Sequence, residues 1–135
     1  MCNFAVKLLE SVRSDGRLKF YKLLENGKAQ IDSFSDEVCA DRKLEKDFNV
    51  ILAYMNIMAE NDLFLPQKKV NSIKEGNKEI AIEFKKDDIR VYCVKIVPKV
   101  FVVFGGYKKN QKNDIKKFKR LLKEVGDLEN LEIID

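Results

Sequence analysis

Three strand-patterned segments joined by two-residue turns constrain the fold of this chain more than any other feature of its sequence. In KEIAIEF, Ile80, Ile82 and Phe84 alternate with Glu79, Ala81 and Glu83, the period-two pattern of a half-buried strand. Asp87-Asp88 supplies a turn, RVYCVKI follows, and Pro98-Lys99 makes the next turn. VFVVF is then the continuous apolar run of a buried central strand. Connections this short leave no room for a crossover helix, so the strands form an antiparallel meander.

Upstream of the meander the period changes. Leu18, Phe20 and Tyr21 open a strand that ends at Asn26-Gly27, a strong turn signal. Ile31, Phe34 and Val38 then recur at three and four residues, which predicts a short amphipathic helix. Asp41 is placed to cap a longer one with Leu44, Phe48, Ile51, Leu52, Met55 and Met58 on one face, closed by Asn61-Asp62 and Pro66. After the meander, Asn113 is a candidate N-cap for a helix with the stripe Ile115, Phe118, Leu121, Leu122 and Val125, and Gly126 is its stop. The expected fold is therefore α+β over one domain, residues 1–135. Residues 1–16 are an extension readable as strand (Phe4, Val6, Leu8) or helix (Phe4, Leu8, Leu9, Val12), and 126–135 are an acidic tail.

Function is bounded first by what is missing. The chain has no histidine, which removes Ser-His and Cys-His catalysis and the commonest metal ligand. Its three cysteines (Cys2, Cys39, Cys93) have no paired spacing, so neither a disulfide framework nor a thiolate zinc site is expected. No cofactor or metal is called for. The amino terminus lacks a signal peptide's long apolar stretch, and no run approaches membrane-spanning length, so a cytoplasmic location is expected.

Charge is distributed unevenly. Residues 67–125 hold 17 Lys+Arg against 7 Asp+Glu, a net +10, whereas residues 1–66 net −2 and the last ten residues net −4. A basic half on a near-neutral chain is the footprint of a polyanionic partner. The densest stretch, FGGYKKNQKNDIKKFKRLLK, holds eight basic residues and one acid between Tyr107 and Lys123. Gly105-Gly106 is read as the sharp end of a buried strand, from which Lys108 and Lys109 emerge at the rim of the sheet. Tyr107 is placed either to stack a base or to pack its ring. Lys112, Lys116 and Arg120 extend the positive field, or are a solvated helix face. Arg90 is expected at the sheet edge, forking onto a phosphate or pairing with Glu79 or Glu83 across the hairpin. Lys68, Lys69 and Lys74 lie in the connection before the sheet and would line the same groove, or keep a loop soluble. The tail is either a solvated end or folds back over the basic face.

At these residues the chain resembles a known family. KFYKLLENGKAQIDSF and IRVYCVKIVPKVFVVFGGYKKNQKNDIKKFKRLLKEV are similar to the phage-derived HigB-like branch of the RelE/ParE toxin superfamily. Gly27, Lys28, Phe34, Arg90, Tyr92, Lys108, Lys109, Gln111, Lys112 and Ile115 fill the family's motif places, over roughly residues 18–125. The resemblance implies a RelE-like fold: a strand and two helices, an antiparallel meander and a basic helix. It also implies the toxin of a type II toxin–antitoxin pair, neutralised by a small antitoxin protein, that enters the ribosome and cuts mRNA without metal. Carried over by position, Arg90 would stabilise the scissile phosphate, and Lys109 with Lys108 would supply positive charge or a proton. Two departures stand out. KEIAIEF carries Glu79 and Glu83 where RelE-type enzymes carry basic residues, and the last helix has Phe118 where they have a tyrosine. Glu79 or Glu83 would then serve as a base or sit in strand-edge salt bridges. A catalytically silent RNA- or protein-binding module and a ParE-like gyrase inhibitor are the alternative functions.

Overall fold

The structure is a computed structural model that describes residues 2–62 and 65–135. Among these residues the fold is α+β, with three α-helices packed on a mixed seven-stranded sheet. The strands are β1 (Phe4–Leu8), β2 (Lys19–Glu25), β3 (Val70–Glu75), β4 (Lys78–Lys86), β5 (Ile89–Ile96), β6 (Lys99–Tyr107) and β7 (Ile133–Ile134). The helices are α1 (Gln30–Val38), α2 (Arg42–Asn61) and α3 (Gln111–Val125). Across the sheet the order is β3-β4-β5-β6-β2-β1-β7.

The meander forms as its turn spacing requires, with β4, β5 and β6 antiparallel. It has a fourth strand. β3 pairs antiparallel with β4 at the sheet edge, in a stretch expected to be a connection. Only Ile73 is buried along it, and its register shifts between Ile73 and Lys74, so it lacks the apolar alternation that marks a strand. Of the amino-terminal extension, Phe4–Leu8 is strand, with β1 antiparallel to β2. The acidic tail neither floats free nor lies over the basic helix. Leu128 is buried, and β7 adds parallel to β1, the Val6 amide donating to the Glu132 carbonyl at 2.9 Å.

Helices cover both faces. Strand positions such as Phe20, Phe84, Val91 and Val102 turn toward α1 and α2, where they meet Phe34, Ile51 and Met55. The alternate positions, among them Tyr21, Tyr92, Phe101 and Phe104, turn toward α3 and its Phe118 and Leu121. Period-two alternation thus serves two cores. Asp41 caps α2 as expected, its carboxylate accepting from the Lys43 and Leu44 amides at 2.9 and 3.1 Å. Asn26-Gly27 turns at positive φ (52° and 82°), and α2 closes at Asp62 in the left-handed region.

Two local features differ from the sequence expectation. Gly105-Gly106 does not end its strand, since β6 runs on to Tyr107. A Cβ at Gly105 would enter the Phe34 ring, and one at Gly106 the Asp114 carboxylate, so the pair lets both helical layers close on the sheet. The last helix begins at Gln111 after a 3-10 turn over Lys108–Asn110, three residues earlier than an Asn113 cap implies. Its N-cap, Asn110, makes no side-chain capping bond. No helix among the described residues is long and apolar enough to cross a membrane.

Candidate functional site at the basic end of the sheet

One end of the sheet gathers most of the charge that the sequence singles out. The β4–β5 turn (Asp87-Asp88) meets the 3-10 turn there, the Lys108 amide donating to the Asp88 carbonyl at 2.7 Å. Lys108, Lys109 and Lys112 are exposed on that side. Lys68 and Lys69 belong to the same end, because β3 starts beside them and the Lys85 amide donates to the Lys69 carbonyl at 2.8 Å. Lys85 and Lys86, not singled out by the sequence, complete the group. Lys43 braces the turn from α2, bonding Asp47 at 2.8 Å and Asp87 at 2.7 Å. Both bonds raise the Lys43 pKa, and the second lowers that of Asp87.

Four of the other expected residues are placed differently. Lys74 is at the far end of β3, where its carbonyl accepts from the Lys119 ammonium at 3.2 Å. It does not share a groove with Lys68 and Lys69. Lys116 and Arg120 are exposed on α3, away from the sheet. Tyr107 points to the α1–α2 side, its ring tilted on Phe34 at 5.4 Å and its hydroxyl donating to Glu37 at 2.6 Å. Packing is therefore its role in this conformation. Burial, with the Glu37 bond second, pushes its phenol up to about 12.

Arg90 departs most from expectation. It is only 7% exposed, far from a free fork at the sheet edge. Its Nη1 donates to the Asp87 carbonyl at 2.7 Å and the Ile89 carbonyl at 2.9 Å. It pairs with neither glutamate, and its register partner is Lys85. Glu79 lies at the other end of β4, accepting from the Ser72 hydroxyl at 2.5 Å. The physical reason is coverage. The face of β5 that carries Arg90 and Tyr92 is roofed by α3, so alternation away from the first core does not mean exposure.

Under that roof sits a polar group that the sequence pattern alone does not assemble. Glu83 and Tyr92 are cross-strand partners and are completely buried, with Arg90 two residues along the same face. Glu83 Oε2 accepts from the Gln111 amide at 2.8 Å. Glu83 Oε1, the Tyr92 hydroxyl and Arg90 Nε have no partner among the described residues. Burial, then the charges of Glu83 and Asp114, push the Tyr92 phenol up against the opposing pull of Arg90. Asp114, at the start of α3, is also raised by desolvation, with Lys117 opposing. An unpaired buried polar atom costs about 1–3 kcal/mol. Three in one place are uncommon in a folded chain and make this group a candidate functional site. The signal in the sequence is faint. Arg90 and Tyr92 share a strand face by period two, and the apolar runs of β5 and β6 imply that both faces are covered.

No protein-family model and no curated protein matches the chain.

Proposed function

We propose that this protein has a RelE-like fold and is the toxin of a toxin–antitoxin pair, cutting ribosome-bound mRNA without metal at the basic end of its sheet. The observation that carries this reading is a convergence. Exposed Lys108, Lys109 and Lys112 stand at the same sheet end as buried Arg90, Tyr92 and Glu83, three side chains that each leave a polar atom unpaired. The order of strand, two helices, antiparallel strands and basic helix agrees in kind with what the resemblance implies. In the chemistry that follows, the ribose 2′-hydroxyl attacks the adjacent phosphorus. That step needs a base for the hydroxyl, cations for the developing phosphorane charge and an acid for the leaving oxygen. Lys108 and Lys109 supply the cationic part, and the lysines around them draw the RNA backbone in.

A second reading, a catalytically silent binding module of the same fold, is favoured by one observation. The Arg90 guanidinium is bonded to backbone carbonyls rather than held ready for a phosphate. Purified protein incubated with ribosomes translating a defined mRNA separates the two. Breaks that vanish in the Lys108→Ala/Lys109→Ala variant establish the endonuclease. Salt-sensitive binding with intact mRNA establishes the module. DNA breaks in growing cells with intact mRNA would instead indicate gyrase inhibition.

A further inference from the structure

The first turn of α3 is weakly fixed for a segment that closes a polar group. It follows a 3-10 turn, its N-cap residue Asn110 makes no side-chain capping bond, and Gln111 bonds Glu83 through one amide hydrogen. Asp114, partly desolvated, rests on Gly106 at a spot left open by the missing Cβ. The firm attachment of α3 comes one turn later, where Phe118 packs against Tyr92 and Phe104 with ring centroids 5.7 and 6.0 Å apart. The first turn is thus held by its Gln111 bond and by the preceding turn, where the Lys108 amide bonds the Asp88 carbonyl, rather than by buried side chains of its own. Its outer side bears Lys112 beside Lys108 and Lys109, where an RNA phosphate would pull it outward.

We infer that this first turn is a lid and that Glu83 and Tyr92, which it covers, are the acid–base pair of the site; the inference rests on the RNA-cleaving reading. With the lid raised, Glu83 takes the proton of the 2′-hydroxyl as its oxygen bonds to phosphorus. Tyr92 gives a proton to the 5′-oxygen as the P–O5′ bond breaks. The products are a 2′,3′-cyclic phosphate and a 5′-hydroxyl, and a proton returned from Glu83 to its cross-strand neighbour Tyr92 resets the pair. Arg90, freed from the Asp87 and Ile89 carbonyls, would balance the phosphorane charge.

Amide hydrogen exchange and cleavage of ribosome-bound mRNA test the two halves separately. Gln111→Ala should speed exchange at residues 111–114 at least tenfold and leave β5 and β6 unchanged. Gly106→Ala, which forces Asp114 aside, should do the same. Glu83→Gln and Tyr92→Phe should keep wild-type exchange in β5 and β6 and lose cleavage at least a hundredfold. Unchanged exchange at 111–114 in both lid variants overturns the lid. Wild-type cleavage by Glu83→Gln or Tyr92→Phe overturns the acid–base pair. If the wild-type protein leaves the mRNA whole, the endonuclease reading falls and the pair with it, while the exchange result still decides the lid.

Discussion

A phenol that bonds a carboxylate and packs its ring on a phenylalanine gives up its proton late, and Tyr107 does both. Its folded pKa, about 12, lies above the ordinary value of 10.0. The folded state therefore keeps the proton to higher pH than the unfolded chain does. The stability this gives is complete below pH 10 and is lost as pH rises toward 12. Denaturant unfolding followed from pH 8 upward should show that loss, and Tyr107→Phe should flatten it while costing about 1 kcal/mol or less at neutral pH. Gly105→Ala should cost more, about 1–3 kcal/mol, because the new methyl group meets the Phe34 ring inside a packed layer. Arg90 shows why a residue's role is hard to read from its strand alone. Its position in RVYCVKI is legible, but its exposure depends on a helix that starts some twenty residues later. Its guanidinium bonds backbone carbonyls, so Arg90→Ala should lower unfolding stability by about 1–3 kcal/mol and is a poor probe of catalysis alone.

Among the elements, α3 and β7 differ most in how firmly they are held. Phe118 is fully buried between Tyr92 and Phe104, so Phe118→Ala should cost about 3–5 kcal/mol by chemical denaturation. β7 spans two exposed residues, and removing residues 131–135 should leave the sheet folded while speeding amide exchange at Val6, which loses its bond to Glu132. The same contrast explains which elements could be read from sequence. Two-residue turns and alternation announce β4 to β6, and apolar spacing with Asp41 announces α1 and α2. β3 is an edge strand with one buried side chain and a register shift, and β7 exists only because a distant strand offers it an edge. The candidate site falls between these cases. Its lysines are visible as charge, whereas Glu83 reads as the solvent face of an alternating strand until α3 is laid over it.

Over the whole molecule, Lys68, Lys69, Lys85, Lys86, Lys108, Lys109 and Lys112 are brought to one sheet end, while β7 ties the acidic tail to the sheet edge opposite β3. If the proposed function holds, binding to RNA should weaken with salt. Each phosphate that Lys108 or Lys109 neutralises should contribute about 0.7, the single-strand value, to the slope of log affinity against log salt. Alanine at both positions should flatten that slope accordingly. The most direct measurement is primer-extension mapping of a defined mRNA on translating ribosomes, with wild-type protein and with Lys108→Ala/Lys109→Ala. The expected result is new 5′ ends within the translated region for wild type, reduced at least a hundredfold in the variant with its fold intact. Intact mRNA with the wild-type protein, or equal cleavage by both, would contradict the assignment of RNA cleavage to this end of the sheet.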